Sequence, residues 1–225
     1  MTMKPSISAE QQILAGIQSG IYPAGSNLPP ERELAIGLKV TRPTLREVLQ
    51  RLARDGWLDI HHGRPTKVRN YLEEGNLSVL TALAEKMDEI PAELVDQVLH
   101  LRLLLAPAYT RLALEYSPQE VEKFSQTIED GLEDPVILAH TDFLLQKLLS
   151  RLSKNSIFAL TINNLELLYI KAMTSIYQDA EARKQARVYF RMIYKAARAG
   201  EPDAAEAVTR RVMRESINNR ESEKI

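Results

Sequence analysis

Two arginines and two threonines share one short stretch of the chain: Thr41, Arg42, Thr44 and Arg46. If that stretch is helical, Arg42 and Arg46 stand at i and i+4, on one face and roughly one turn (about 6 Å) apart. That face lies away from the apolar residues Leu45, Val48 and Leu49. A guanidinium can donate two hydrogen bonds to guanine O6 and N7, which discriminates bases by about 1–3 kcal/mol. Threonine hydroxyls beside the backbone N–H groups of a helix N-terminus suit phosphate oxygens. A single exposed arginine is ordinarily just solvated. A pair flanked by threonines, between a turn and a hairpin, points instead to contact with the edges of nucleobases. Arg32 is placed to hold the DNA backbone or reach the groove edge, and the tip His62-Gly63 is suited to the minor groove, where glycine permits close approach. Arg51 and Arg54, later in the same stretch, are expected to complement a helix C-terminus.

The elements that must position these residues can be read from periodicity. Ser8-Ala-Glu-Gln11 has the form of a capping box ahead of apolar Ile13, Leu14 and Ile17, which predicts a first helix. Turn residues fill Tyr22 to Pro30, so that segment reads as loop. A second helix is expected from Glu31 to Leu38, opened by Pro29-Pro30. A third follows Thr41 as N-cap and presents Leu45, Val48, Leu49, Leu52 and Ala53 as a buried stripe until Asp55-Gly56. After Trp57 the period shortens to two: Leu58–Ile60 and Thr66–Val68 flank a glycine-tipped hairpin, 61–65. Three helices and a two-stranded wing form the order of a winged helix-turn-helix over residues 1–70. Residues 71–77 read as linker. Residues 78–225 show only helical periodicity, with starts at Pro91, Ser117-Pro118 and Asp134-Pro135 and a break at Gly200-Glu-Pro202. Six or seven helices are expected there, one kinked at Pro107. The expected fold class is thus mainly α, a winged helix with a small β-hairpin followed by an all-α helical bundle.

Composition narrows the chemistry. The 225 residues carry a formal charge of −1, yet residues 1–70 hold ten basic and six acidic side chains, a net +4. A basic segment joined to an acidic remainder is a common layout for a nucleic-acid reader attached to another module. The absence of cysteine excludes disulfides, thiolate metal sites and a cysteine nucleophile. The start of the chain lacks the apolar core of a signal peptide, and no stretch approaches the ~20 apolar residues of a membrane span. A cytoplasmic protein without membrane association is the expectation. No phosphate-cradling glycine loop, nucleophile elbow or histidine in the last 85 residues supports an enzyme, so no catalytic residues are assigned.

Pro30-Glu-Arg-Glu-Leu34 and the run from Val40 to Leu58 resemble the GntR family of bacterial transcription regulators, and more narrowly its FadR branch. The wing from His62 to Val68 fits the same pattern. The resemblance implies base contacts by Arg32, Arg42 and Arg46, support from Thr41 and Thr44, and entry of His62 and Gly63 into the minor groove. Pro43 departs from the branch, which has threonine there. The helical half is similar in outline through residues 101–113, 142–155 and 190–200.

Many members of this branch bind a divalent metal through one aspartate and three histidines. Asp142 matches the aspartate, but Gln146 stands where the first histidine is expected and no histidine follows His140, so no metal is expected. The metal-free part of the branch binds long-chain acyl-CoA. Alignment with it suggests Arg102, Tyr169, Phe190, Arg210, Arg211 and Ser216 as effector residues, while Val212, Met213 and Arg220 depart from its pattern. The resemblance therefore implies a homodimer that reads a pseudo-palindromic operator, controls fatty acid metabolism, uses no cofactor and is released by long-chain acyl-CoA. A regulator answering to a different small effector, such as a carboxylate, remains the alternative.

Overall fold

The computed structural model describes residues 5–86, 89–128 and 132–222, in two compact units, Met1–Lys86 and Met87–Ile225. In the first unit, α1 (Pro5–Gln18), α2 (Glu31–Gly37) and α3 (Arg42–Arg54) precede β1 (Leu58–Asp59) and β2 (Lys67–Val68). The helix α1 begins at Pro5, so the capping box expected at Ser8 is not its start. Ser8 instead lies inside the helix and accepts from the Gln12 side chain at 3.1 Å. Proline is well suited to a first helical turn because its missing N–H has no intrahelical partner to lose.

α1, α2 and α3 bury one shared stripe: Ile13, Leu14, Leu34, Leu45, Val48, Leu49 and Leu52 are almost wholly inaccessible. Each such side chain contributes about 1.5–3 kcal/mol relative to exposure. The strands pair antiparallel with Leu58 opposite Val68. The segment expected as plain loop adds a third short edge, because Asn27 bridges Lys67 and the Val68 N–H donates to the Ser26 carbonyl at 2.8 Å.

Residues 71–77, expected as linker, are built into this unit. They contain the one-turn α4 (Tyr71–Glu74), whose Tyr71 ring packs on Trp57 at 5.1 Å, and lead to α5 (Ser78–Lys86). Val79 joins the same apolar core. At Gly56 (φ 93°) a Cβ would lie 3.2 Å from the Gly75 Cα, so only glycine lets the two backbones approach. Tyr71, Ala82 and Leu83 also pack against this core, so the segment beyond the hairpin belongs to the first unit.

The second unit contains α6 (Ala92–Tyr116), α7 (Pro118–Ser125), α8 (Pro135–Leu152), α9 (Ser156–Asn164), α10 (Glu166–Ile176), α11 (Ala180–Ala199) and α12 (Pro202–Ser222). The long α6 runs continuously through the buried Pro107 and packs on α12, α8 and α10, and α11 lies on α7 and α12. Of the starts read from sequence, Pro91 and Ser117 open α6 and α7 without a side-chain cap, whereas Asp134 caps α8. Asp134 accepts the N–H groups of Val136 and Ile137, each at 2.9 Å, and Gly200 closes α11 in the left-handed region at φ 67°. Among the described residues, no helix is long and apolar enough to cross a membrane.

Candidate nucleic-acid interface and effector-domain interior

The N-terminus of α3 is built by Thr41. Its Oγ1 accepts the Thr44 N–H at 3.4 Å and lies 2.9 Å from the Thr44 hydroxyl. Both threonines are therefore occupied in capping, although a hydroxyl that donates once keeps lone pairs for another donor. The turn before α3 passes through Lys39 in the left-handed region, φ 55°. Arg32, Arg42 and Arg46 all face solvent. Among the described residues, neither Arg32 nor Arg42 makes an ion pair. Arg46 differs, because its Nε donates to Glu31 Oε2 at 2.8 Å while the side chain stays 69% exposed.

His62 and Gly63 form the exposed wing tip, with Gly63 at φ 71°. The neighbouring His61 instead turns back to Asp59, at 3.0 Å. Arg51 also departs from a purely helix-end role. Its Nε and Nη2 donate to Glu10 Oε2 at 2.9 and 2.8 Å and tie α3 to α1. Thr41, Arg42, Thr44 and Arg46 thus share one helix end, Arg32 lies on α2, which the Glu31–Arg46 pair ties to α3, and His62-Gly63 form the tip of the wing. Sequence reasoning did not single out Glu31. A carboxylate fifteen residues from its partner leaves no local spacing signal.

In the helical unit the central feature is a buried polar cluster. Asp142 is completely inaccessible. Its Oδ2 accepts from Arg102 Nη2 (2.9 Å), the Tyr169 hydroxyl (3.0 Å) and the Tyr177 hydroxyl (2.8 Å). Its Oδ1 accepts from Gln146 Nε2 at 3.0 Å, and Gln146 Oε1 accepts from the Tyr109 hydroxyl at 2.7 Å. Oδ2 is crowded by three donors, one more than its two lone pairs, whereas Oδ1 takes one. Burial works against the charge of Arg102, but Asp142 and the surrounding tyrosines outweigh it and raise the guanidinium pKa above its ordinary value. For Tyr109, Tyr169, Tyr177 and Tyr189, desolvation dominates and raises each phenol pKa.

This cluster does not suit the divalent metal that the family resemblance raised. Asp142 Oδ2 is fully engaged by three donors, Gln146 presents an N–H donor to Oδ1 where a metal ligand would need a lone pair, and a guanidinium supplies the positive charge. Among the described residues, no group of three or more histidine or acidic side chains is arranged to hold a metal ion.

The six residues suggested for the effector fall in different places. Arg102 and Tyr169 line one slot between α6, α9 and α10, with Leu101, Leu105 and Ile162, whose free volume of about 20 Å³ admits one water. Arg102 keeps one spare donor: its Nε is unpartnered, while Nη1 lies 2.9 Å from the Met173 sulfur. Phe190 is buried against Tyr189 and borders a cleft of about 380 Å³ with Arg187, Arg191 and Lys195. Ser216 borders a separate cleft of about 230 Å³. Arg210 pairs with Glu206 at 2.7 Å, and Arg211 lies 3.3 Å from the Met192 sulfur. The sequence signal for Tyr177 and Tyr109 was absent, because helical spacing alone cannot tell a buried hydroxyl with a partner from ordinary core.

Residues 6–68 match the bacterial regulatory proteins of the gntR family, and residues 69–222 match the FadR C-terminal domain. The chain belongs to the GntR family, in its FadR branch. It is therefore a DNA-binding transcription regulator and not an enzyme. The fatty acid metabolism regulator protein of Cronobacter sakazakii is 37% identical over 212 residues, 94% of this chain and 89% of that protein. Its counterpart from Pectobacterium atrosepticum is 40% identical over 185 residues, 81% and 76% of the two chains. A solved structure described as Lar, which controls expression of the Listeria monocytogenes agr system, matches with a TM-score of 0.65. It is 13% identical and covers 99% of both chains, a likeness of fold alone. As members of this family, the first unit binds DNA and the second is the ligand-responsive domain.

Proposed function

We propose that this chain is a homodimeric, cytoplasmic regulator of fatty acid metabolism that leaves its operator when long-chain acyl-CoA binds the helical domain. The observation that carries the reading is the exposed arginine face at the start of α3, with Arg42 lacking an acidic partner among the described residues. Arg42 and Arg46 read guanines, Arg32 holds the groove edge, Thr41 and Thr44 meet phosphate, and His62-Gly63 enter the minor groove. Two copies related by a two-fold axis match a pseudo-palindrome. The relatives' names supply the metabolic assignment.

In the helical domain, Arg102 has a donor to spare beside an apolar slot that also holds Tyr169. That donor suits a thioester carbonyl. An acyl chain exceeds a volume of about 20 Å³, so its entry separates α9 and α10 from α6, and that work is the coupling to DNA release. Phe190 and Ser216 border clefts of their own, which a long effector reaches only beyond the slot, and Arg210 and Arg211 meet CoA phosphates. The same Arg102 donor also fits a carboxylate, which keeps a smaller acidic effector as the second reading. Gel shifts of the full chain on a duplex enriched from a randomised pool, with and without oleoyl-CoA, test both. Release by oleoyl-CoA supports the first reading. Undiminished binding with oleoyl-CoA, and release by a short carboxylate, supports the second.

A further inference from the structure

We infer that Glu31 is a positioning residue for base recognition, bracing Arg46 so that its guanidinium meets the DNA end-on. This rests on the DNA-reading role proposed above. Glu31 opens α2 immediately after Pro30, and its Oε2 accepts the Arg46 Nε–H at 2.8 Å across fifteen residues of chain. The partner atom is informative. An arginine can address guanine through its Nε edge or through the fork of its two terminal nitrogens. With Nε–H engaged, only the terminal fork remains, and among the described residues neither terminal nitrogen of Arg46 has a partner.

Stability does not explain the pair. Both side chains are substantially exposed, 69% for Arg46 and 40% for Glu31, and exposed ion pairs of this kind add little to folding. A carboxylate on a surface that meets phosphates is also electrostatically unfavourable for association. What it supplies is order: a long, rotamer-rich side chain is held in one orientation before DNA arrives, which removes part of the entropy lost on binding. Arg42 has no equivalent brace among the described residues, so the two reading arginines differ in preorganisation. Glu33, two residues along the same helix and exposed, carries the same charge without an ion pair among the described residues.

The test uses the full chain, a duplex enriched by the wild type from a randomised pool, and a scrambled duplex. Affinities are measured for the wild type, Glu31→Ala, Glu33→Ala and Arg46→Ala, then repeated with 7-deazaguanine placed at each guanine in turn to remove one N7 acceptor. Both carboxylate variants bind scrambled DNA more tightly, since each removes one negative charge. Only Glu31→Ala lowers the ratio of enriched to scrambled affinity, by about tenfold, the order of one bidentate base contact. The deazaguanine penalty that disappears in Arg46→Ala also disappears in Glu31→Ala. An unchanged ratio and deazaguanine profile in Glu31→Ala, with wild-type enrichment intact, overturns the role of Glu31 alone. A wild type that enriches no duplex overturns the DNA-reading role and this inference together.

Discussion

The two units of this protein handle charge in opposite ways. At the start of α3, guanidinium groups stand in water, with one of them braced by a carboxylate. Inside the helical bundle, one guanidinium and one carboxylate are withdrawn from water and surrounded by tyrosine, glutamine and thioether groups. The difference follows from where the partner comes from. A cation intended for an external polyanion is best kept solvated, because desolvation before binding would have to be offset by internal partners. A buried ion has no such reserve, so its partners must be folded around it. Loss of one contact should therefore affect binding in the first unit and stability in the second.

The strongest way to break the comparison is Asp142→Ala. It strands the Arg102 charge and is expected to destabilise the helical unit by about 3–5 kcal/mol in urea unfolding. Replacing Arg102 and Asp142 together by leucine is expected to cost less than the single change, because no charge is left unpaired. A loss no larger than that of a surface substitution would show that the cluster is not a closed electrostatic unit.

Alkali probes the same cluster. Tyr109, Tyr169, Tyr177 and Tyr189 have pKa values raised by burial above the ordinary 10.0. A raised folded-state value means that their contribution is complete below pH 10.0 and is lost as pH climbs from there through the folded values. Stability of the helical unit is expected to fall above that pH. Absorbance at phenolate wavelengths should show these four tyrosines ionising together with unfolding rather than before it.

For the reading surface, Arg42→Ala is expected to weaken specific binding by about 1–3 kcal/mol and leave thermal stability unchanged. Equal weakening on scrambled DNA would make Arg42 a phosphate contact instead. The smallest effect belongs to Thr41→Ala. It removes the α3 cap and is expected to cost about 1 kcal/mol of stability in the first unit, readable as a lowered Tm.

Much of the molecule was legible in its residues. Alternation between a period of 3.6 and a period of 2 located the winged helix, because one buried face per element leaves a periodic trace. Thr41, Asp134 and Gly200 marked helix ends through local hydrogen bonding and backbone freedom. The start of α1 was misread because Pro5 and Ser8 each carry a start signal, and only packing chooses between them. Residues 71–77 read as linker because polar composition hides a single tyrosine, and Tyr71 acquires meaning only against Trp57. Arg102 and Tyr169 emerged together in one slot, whereas Phe190 and Ser216 border different clefts.

Local order, the exposure of the arginine face and the absence of thiol chemistry were set by the one-dimensional string, since caps, periodicity and residue type act over a few positions. Tertiary structure alone decided which charges meet. The pairs Glu31–Arg46, Glu10–Arg51 and Arg102–Asp142 join residues 15, 41 and 40 positions apart, respectively. Coulomb and hydrogen-bond energies depend on distance in space, and separation along a chain does not encode that distance until the helices have packed.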